Sequence, residues 1–145
     1  PAASFAQEEF DTSQVSSITQ NADAGVATCK NNKDTDFAFQ CSGTSATGYR
    51  QKEDSSSVYI WIKGYSGKPL RLFVDGAYDN RGTGNLNCTQ GVYRSNHERE
   101  WEIYNLVREN KRSYARLTAW AESGYGTVYG KWSPDCLGHF NKLPS

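Results

Sequence analysis

The sequence predicts an all-β fold, a single antiparallel β-sandwich, from three observations. Residues 100–121 alternate apolar and polar side chains with a period of two, which is typical of strands with one buried face. Aromatic and β-branched residues are frequent there, while clusters of Gly, Asn, Asp and Ser separate the apolar segments. The length of 145 residues suits one domain with one core. We expect the sandwich to span residues 36–145.

Residues 1–35 predict an acidic N-terminal arm that is poorly ordered. The arm is rich in Ala, Ser, Gln and acidic residues and has only isolated apolar side chains such as Phe5 and Phe10. Burying these few side chains does not offset the entropy of ordering the segment. The alternative is an amphipathic helix that begins near Ser4 and packs through Phe10.

Four segments predict the first strands. Residues 36–41 (DFAFQC) form the first strand, and the polar residues 49–57 form a short edge strand and a loop. Residues 58–63 (VYIWIK) are apolar on both faces, which predicts a buried strand. Residues 70–74 (LRLFV) then return as the second strand of a hairpin.

The long loop over residues 75–87 is rich in Asn, Asp and Gly, residues that tolerate positive φ in hairpin loops. Calcium binding is the alternative, but the loop lacks the EF-hand spacing and its terminal Glu. A further strand is expected over residues 86–93.

The stretch over residues 100–121 predicts the central hairpin, with its turn at residues 109–112 (ENKR). A helix is the alternative for residues 96–108, because Ser95 and Glu98 fit a capping box. The aromatic and β-branched content favours the strand. The last strand covers residues 127–132 and ends before a proline, which cannot continue a ladder.

The even set of four cysteines predicts two disulfides in an oxidising compartment. Cys29, Cys41, Cys88 and Cys136 have no CxxC spacing, so no zinc site is expected. Three pairings are possible. We favour Cys29–Cys41 with Cys88–Cys136, because the first two are close enough in sequence to clip a hairpin.

Charge and composition limit the kinds of partner that the protein is expected to bind and indicate where it is expected to act. Acidic and basic residues balance at 16 each, so no global field predicts binding to nucleic acid or anionic lipid. No apolar run approaches the ~20 residues of a transmembrane segment. The chain begins with Pro1 and has no methionine, which predicts a mature, secreted, extracellular protein whose signal peptide has been removed.

The aromatic residues predict a binding surface. Four tryptophans and nine tyrosines exceed what a core of this size needs, so some rings must be exposed and could stack on sugars. Tyr104, Tyr114, Arg116 and Trp120 can share one face of the predicted hairpin, a composition typical of binding hot spots. The alternative is that this face is the core and that the Ala-rich face lies outside or packs on a second sheet.

The sequence shows no recognisable catalytic constellation, cofactor motif or metal-ligand set. The segment at residues 97–100 (HERE) lacks the second histidine of a zincin motif, and no nucleophile elbow or phosphate-binding glycine loop occurs. We therefore expect no enzyme and no cofactor. Glu100 and Glu102 would lie on one strand face roughly 6.5–7 Å apart, which leaves a carboxylate-dependent hydrolase as an alternative.

Three short pieces carry a resemblance to a known family. SVY at residues 57–59, VRENKRSYARL at 107–117 and GKWSPD at 130–135 fit the pattern SVY, VxENxxxYAxL, GxWSPD. This pattern resembles small secreted proteins of Gram-positive bacteria known mainly as a domain of unknown function. Size, Ser/Tyr content and a tryptophan in the last strand are similar to the lactococcin-type bacteriocins, which are secreted β-sandwiches. The longer acidic arm, the long loop and the extension with Cys136 depart from the pattern.

The resemblance implies an extracellular all-β protein tied to bacterial antagonism, and it assigns no catalytic residue. We expect a secreted, non-enzymatic binding protein that acts at a cell surface or envelope, such as a bacteriocin-like toxin. A carbohydrate-binding module or lectin and a small carboxylate-dependent hydrolase are the alternatives. The expected partner is an envelope component or a glycan, and the oligomeric state is left open.

Overall fold

The computed structural model describes residues 31–136 and 138–145, which form a β-sandwich of two antiparallel sheets and contain no helix. The predicted fold class is confirmed. The ten strands are β1 (Thr35–Cys41), β2 (Thr44–Ala46), β3 (Arg50–Gln51), β4 (Val58–Gly67), β5 (Leu70–Ala77), β6 (Leu86–Asn87), β7 (Tyr93–Arg94), β8 (Arg99–Ile103), β9 (Tyr114–Ala121) and β10 (Gly126–Ser133).

The first sheet has the strand order β1-β10-β4-β8, and the second is centred on β9 and β5. The short strands β2 and β3 flank β9, while β6 and β7 flank β5. Alternate residues of the long strands point between the sheets, so that Phe39, Ile60, Leu72 and Leu117 are fully buried. The period-two pattern of each strand therefore supplies one wall of a common core.

The C-terminal tail covers the outer edge of β8. The backbone N–H of Glu102 donates to the carbonyl of Asn141, and the N–H of Leu143 donates to the carbonyl of Glu102, each at 2.9 Å. The Leu143 side chain is buried against the core. The tail thus satisfies backbone groups that an exposed edge strand would leave open to another chain.

The two predicted hairpins are wrong, although most of their strands exist. Strands β8 and β9 lie in different sheets, and so do β4 and β5. Instead of a four-residue turn, residues 104–113 cross from one sheet to the other. The turn there is closed by the Asn110 N–H to the Leu106 carbonyl and by Lys111 at φ 64°. An alternating pattern shows which face of a strand is buried, but it does not show which strands pair. Two strands that are hydrogen-bonded in one sheet and two strands that lie opposite each other across the core have the same pattern.

Four further predictions are resolved by the strand boundaries. The first strand, the last strand and the strand alternative within residues 96–108 are confirmed by β1, β10 and β8. The strand expected over residues 86–93 is reduced to the two short strands β6 and β7, separated by residues 88–92, which include Gly91 at φ 118°. Of the predicted N-terminal arm, residues 1–30 lie outside the described residues, whereas Asn31 is buried.

The predicted Cys88–Cys136 disulfide is absent: Cys41, Cys88 and Cys136 carry free thiols. The thiol of Cys88 lies near the Leu86 carbonyl beside the second sheet, whereas that of Cys136 lies near Glu102 of β8 in the first sheet. The sandwich thus holds these two thiols beside different sheets. The predicted Cys29–Cys41 pairing involves Cys29, which lies outside the described residues.

A buried polar cluster joins the start of the described chain to the segment that follows β10. The Lys52 ammonium and the Asp135 carboxylate form an ion pair at 2.9 Å, with neither side chain exposed. The same carboxylate accepts hydrogen bonds from the backbone N–H groups of Asn31 and Glu53, each at 2.9 Å. The aspartate of the GxWSPD motif therefore holds the fold together rather than forming a surface site.

Trp132 of the same motif is also structural. Its ring is fully buried, with the Arg50 guanidinium 4.9 Å from the ring centroid. Arg50 is itself buried and donates from its guanidinium to the Trp132 carbonyl at 2.9 Å and to the Thr35 hydroxyl at 2.8 Å. Burying a guanidinium requires such partners, since an unsatisfied charge in a core costs several kcal/mol, on the order of 3–5.

Candidate binding surface

Three of the four residues predicted to form a binding patch share the outer face of the second sheet. Tyr114, Arg116 and Trp120 project outward from β9, and Trp120 is 40% exposed. The intervening Ala115 and Ala119 are fully buried. The alternative is therefore wrong in placing the Trp120 face in the core or the Ala-rich face outside. The Ala-rich face packs into the core between the two sheets, where its small side chains allow β9 to pack closely.

Tyr104 does not join these three residues. It lies just beyond the end of β8, where its backbone N–H donates to the Tyr93 hydroxyl at 3.0 Å. The Lys142 ammonium lies 5.5 Å from the Tyr104 ring centroid and 5.6 Å from that of Tyr93. Tyr104 is thus part of the contact between β7 and the C-terminal tail.

Arg116 is occupied by contacts within the second sheet. Its Nε donates to the Asp75 carboxylate at 3.1 Å, and its guanidinium lies 4.7 Å from the Tyr49 ring centroid. The Thr118 hydroxyl donates to the same carboxylate at 2.7 Å. A ligand would have to compete with these partners, so Trp120 is the most accessible of the three residues on the second sheet.

A second surface with exposed rings, which the sequence reasoning did not single out, lies on the outer face of the first sheet. We call Trp61, Lys63, Glu100, Tyr129 and Lys131 the aromatic face. Trp61 of β4 is 37% exposed and Tyr129 of β10 is 53% exposed. In the sheet register, Trp61 lies opposite Lys131 on one side and opposite Glu100 on the other. The prediction that β4 is buried on both faces is therefore wrong at Trp61.

The residues directly opposite Tyr129 on the two neighbouring strands are small. They are Ala38 of β1 and Gly64 of β4. A Cβ on Gly64 would lie 2.6 Å from the Tyr129 ring, closer than packed atoms allow, so this glycine is what lets the ring lie across β4. The result is a ring supported by the sheet from below and open to solvent from above.

A β-bulge sets the relation of Trp61 to Tyr129. The register between β4 and β10 shifts between Tyr129 and Gly130. A Cβ on Gly130 would lie 1.8 Å from the Trp61 carbonyl oxygen, so only glycine permits this approach of the two strands. Because the floor of the surface is paired backbone, the two rings are held on a rigid support.

Charges of both signs border the two rings. The Lys131 ammonium pairs with the Asp36 carboxylate at 2.8 Å, and the Lys63 ammonium lies 4.5 Å from the Trp61 ring centroid. The Glu100 carboxylate accepts a hydrogen bond from the Tyr59 hydroxyl at 2.5 Å. The aromatic face therefore has no dominant sign of charge and offers both donors and acceptors.

A cavity of about 210 Å³ opens at the end of the aromatic face. Glu100 belongs to both, and the Tyr59 and Phe140 rings form part of the wall with their centroids 5.2 Å apart. The cavity is lined by Asn32, Asp34, Tyr59, Glu100, Ser133, Asp135, Cys136, Gly138 and Phe140. It is large enough to hold a small substituent of a ligand or the end of a ligand chain.

Burial raises the pKa of three titratable groups that line the cavity. Burial raises the pKa of the Asp34 carboxyl, and burial together with the Glu100 carboxylate raises the pKa of the Tyr59 hydroxyl. Burial and the nearby Glu102 carboxylate raise the pKa of the Cys136 thiol to about 11. At neutral pH the phenol and the thiol therefore stay protonated, and neither is prepared to act as a nucleophile.

The two carboxylates considered for hydrolysis have separate partners. Glu100 binds the Tyr59 hydroxyl, while the Glu102 carboxylate accepts the backbone N–H of Phe140 at 2.8 Å. Among residues 31–136 and 138–145, no group of three or more His, Cys, Asp or Glu side chains is arranged to hold a metal ion. The same ranges contain no helix with the length and apolarity of a membrane span.

Fold and surface together define a small β-sandwich protein with an exposed aromatic face on one sheet. The chain belongs to the family described as protein of unknown function DUF2712, whose model matches residues 9–136. This agrees with the predicted membership of a domain-of-unknown-function family. No curated protein and no solved structure is significantly similar to the chain.

The sequence contained one signal that could have identified the aromatic face. In the segment over residues 58–63, Trp61 is followed two residues later by Lys63, so the face that carries the tryptophan also carries a charge. A lysine is seldom fully buried, which marks that face as solvent-exposed. Tyr129 is likewise followed two residues later by Lys131, but its position relative to Trp61 depends on the pairing of β10 with β4.

Proposed function

We propose that this protein is secreted and acts as a non-enzymatic binding protein at a cell surface or envelope, with the aromatic face as its contact surface. The supporting observation is the pair of exposed rings, Trp61 and Tyr129, carried on neighbouring strands of a rigid sheet. Exposed aromatic side chains supply a large contact area at low entropic cost, and they are enriched where proteins bind.

The bacteriocin-like activity in this proposal comes from the resemblance to small secreted proteins of Gram-positive bacteria. In that setting the aromatic face would contact the envelope of a competing strain. Growth inhibition of a panel of Gram-positive strains by the purified protein tests the toxin activity, and recovery of the chain from the culture medium of producing cells tests secretion.

Cosedimentation with isolated cell walls tests the binding step. We expect the wild-type protein to sediment with walls of at least one strain, and the Trp61→Ala and Tyr129→Ala variants to remain in the supernatant. Trp120→Ala is the matched control, because it removes a similarly exposed indole from the opposite sheet. Loss of binding in Trp120→Ala alone would favour the patch predicted from the sequence, and no binding to any wall would refute the proposal.

Carboxylate-dependent hydrolysis is a second candidate, and one observation favours it. The Glu100 carboxylate and the Asp34 carboxyl, whose pKa burial raises, both line the cavity. A carboxyl group with a raised pKa is better suited to act as a general acid beside an ionised carboxylate. Release of reducing ends from cell walls that disappears in Glu100→Gln would support this candidate, and no release by the wild-type protein would exclude it.

A further inference from the structure

We infer that the aromatic face binds an uncharged pyranose chain, with the C–H faces of its sugar rings stacked on Trp61 and Tyr129. This inference rests on the proposed function and names the chemistry of its ligand. It follows from three features of the face: the flat support of the rings, the balance of the surrounding charges and the position of the cavity.

The flat support arises from the residues beside Tyr129. Ala38 and Gly64, its neighbours on either side, do not project beyond the ring. Trp61 lies opposite Lys131, two residues along β10 from Tyr129, and diagonal neighbours across a strand pair lie within reach of one ligand. A pyranose ring has a flat side of C–H groups, which matches an aromatic ring supported in this way.

The balance of charge selects against polyanions and membranes. Lys131 is neutralised by Asp36 at 2.8 Å. The Lys63 ammonium lies 4.5 Å from the Trp61 ring centroid, and Glu100 lies opposite Trp61 on the neighbouring strand. Nucleic acid and anionic lipid require a net positive surface, which this arrangement does not supply. Sugar hydroxyl groups both donate and accept hydrogen bonds, so an uncharged chain can use ammonium and carboxylate groups alike.

The cavity gives the face a defined end. It opens beside Glu100, whose carboxylate already accepts one hydrogen bond from Tyr59, and a carboxylate has room for further donors. A chain that lies over Tyr129 and Trp61 would reach this opening next. The end of the chain or a ring substituent would then contact the Tyr59 and Phe140 rings inside it.

Isothermal titration calorimetry with neutral hexasaccharides tests the inference directly. The probes are cellohexaose, chitohexaose, xylohexaose and maltohexaose, with polygalacturonate as the charged comparison. We expect at least one neutral probe to bind and polygalacturonate not to bind. Trp61→Ala and Tyr129→Ala should each weaken binding roughly tenfold or more, the factor that corresponds to about 1.4 kcal/mol. Trp61→Phe should lose less binding affinity than Trp61→Ala, because phenylalanine keeps a ring on which a sugar can stack.

Two further variants separate loss of the surface from loss of the fold. Ala38→Lys places a long side chain beside Tyr129 without touching the core, and it should weaken binding while the unfolding midpoint stays the same. Trp120→Ala should bind as the wild type does. The inference would be overturned if Trp120→Ala weakened binding as much as Trp61→Ala. It would also be overturned if Ala38→Lys and Trp61→Ala both bound as tightly as the wild type.

The outcomes also distinguish this inference from the proposed function. Binding to cell walls with no binding to any neutral hexasaccharide would refute the pyranose ligand and leave the envelope-binding proposal standing. Binding to neither would refute both. Binding to a hexasaccharide without binding to walls would support the sugar chemistry and refute the envelope as its location.

Discussion

Replacing Asp135 with asparagine should destabilise the sandwich severely while changing almost no volume. The Asp135 carboxylate is fully buried, and it accepts hydrogen bonds from the Lys52 ammonium and from the backbone N–H groups of Asn31 and Glu53, each at 2.9 Å. The amide of the Asp135→Asn variant would keep one acceptor oxygen but would turn an N–H donor toward groups that are themselves donors.

The magnitude follows from the charge that is left behind. Lys52 would remain buried, with only backbone carbonyl groups such as that of Pro134 at 2.8 Å as partners. Breaking a buried ion pair by removing one partner costs about 3–5 kcal/mol. Domains of this kind have a total free energy of unfolding of about 5–15 kcal/mol, so the variant should lose a large fraction of its stability.

Urea unfolding followed by tryptophan fluorescence measures this loss. Trp132 is fully buried and close to Asp135 in the chain, which makes it a suitable reporter of unfolding. Asp36→Asn is the matched control, since it breaks an ion pair in which the Asp36 side chain is 71% exposed. Such surface pairs contribute about 0–1 kcal/mol. The denaturant slope should be similar in both variants, because each exposes the same surface on unfolding.

A small effect would refute the reasoning. If Asp135→Asn lowers the free energy of unfolding by less than about 1 kcal/mol, the buried pair is not a determinant of the fold. The double variant Lys52→Met with Asp135→Asn supplies a second check. It removes both charges, so its loss should be smaller than the sum of the two single losses, and strict additivity would contradict a direct interaction.

Three further predictions concern single sites. The raised pKa of the Cys136 thiol, about 11, should make its alkylation at pH 9 slower than that of an unperturbed cysteine, and Glu102→Gln should lower that pKa and accelerate the reaction. Gly130→Ala should lower the free energy of unfolding by roughly 1–3 kcal/mol or more, because its Cβ would meet a backbone oxygen at 1.8 Å. Trp120→Ala should lower the free energy of unfolding by about 1 kcal/mol or less, because the ring is exposed. Trp132→Ala should lower it by ~3–5 kcal/mol, because that ring is fully buried.

Each of these predictions has a decisive measurement. Peptide mapping after iodoacetamide treatment assigns the alkylation rate to Cys136, and a rate that does not change in Glu102→Gln would contradict the electrostatic cause. Urea midpoints decide the other two predictions. If Gly130→Ala unfolds at the wild-type urea midpoint, glycine at the bulge is not needed for stability. If Trp120→Ala loses as much stability as Trp132→Ala, both rings belong to the core.

The individual strands could be predicted because each one carries its own local pattern. β9 is the clearest example, since Ala115, Leu117 and Ala119 alternate with larger polar and aromatic residues and are the fully buried ones. β10 ends close to Pro134, as the missing backbone N–H of proline requires. These predictions depend only on the side-chain period and on steric limits near each residue.

The pairing of the strands could not be predicted in the same way. β4 and β5 are separated by only two residues, Lys68 and Pro69, yet they belong to opposite sheets. Pairing depends on contacts between distant residues, such as the eight register pairs that join β5 to β9. Neighbours in sequence often pair in antiparallel sheets, and here that tendency was overridden by the fit of the core.

By itself, the sequence determined the fold class, the approximate strands and the membership of a domain-of-unknown-function family, since all three are carried by local patterns. Tertiary structure alone decided that Trp61 and Tyr129 form one surface, that Tyr104 is separate from Trp120 and that Cys88 and Cys136 lie beside different sheets. The physical reason is that a surface or a covalent pairing is set by register and by the crossing of chain segments between sheets. Gly64 and Gly130, which the sequence presents as ordinary glycines, become essential only where β4 and β10 meet.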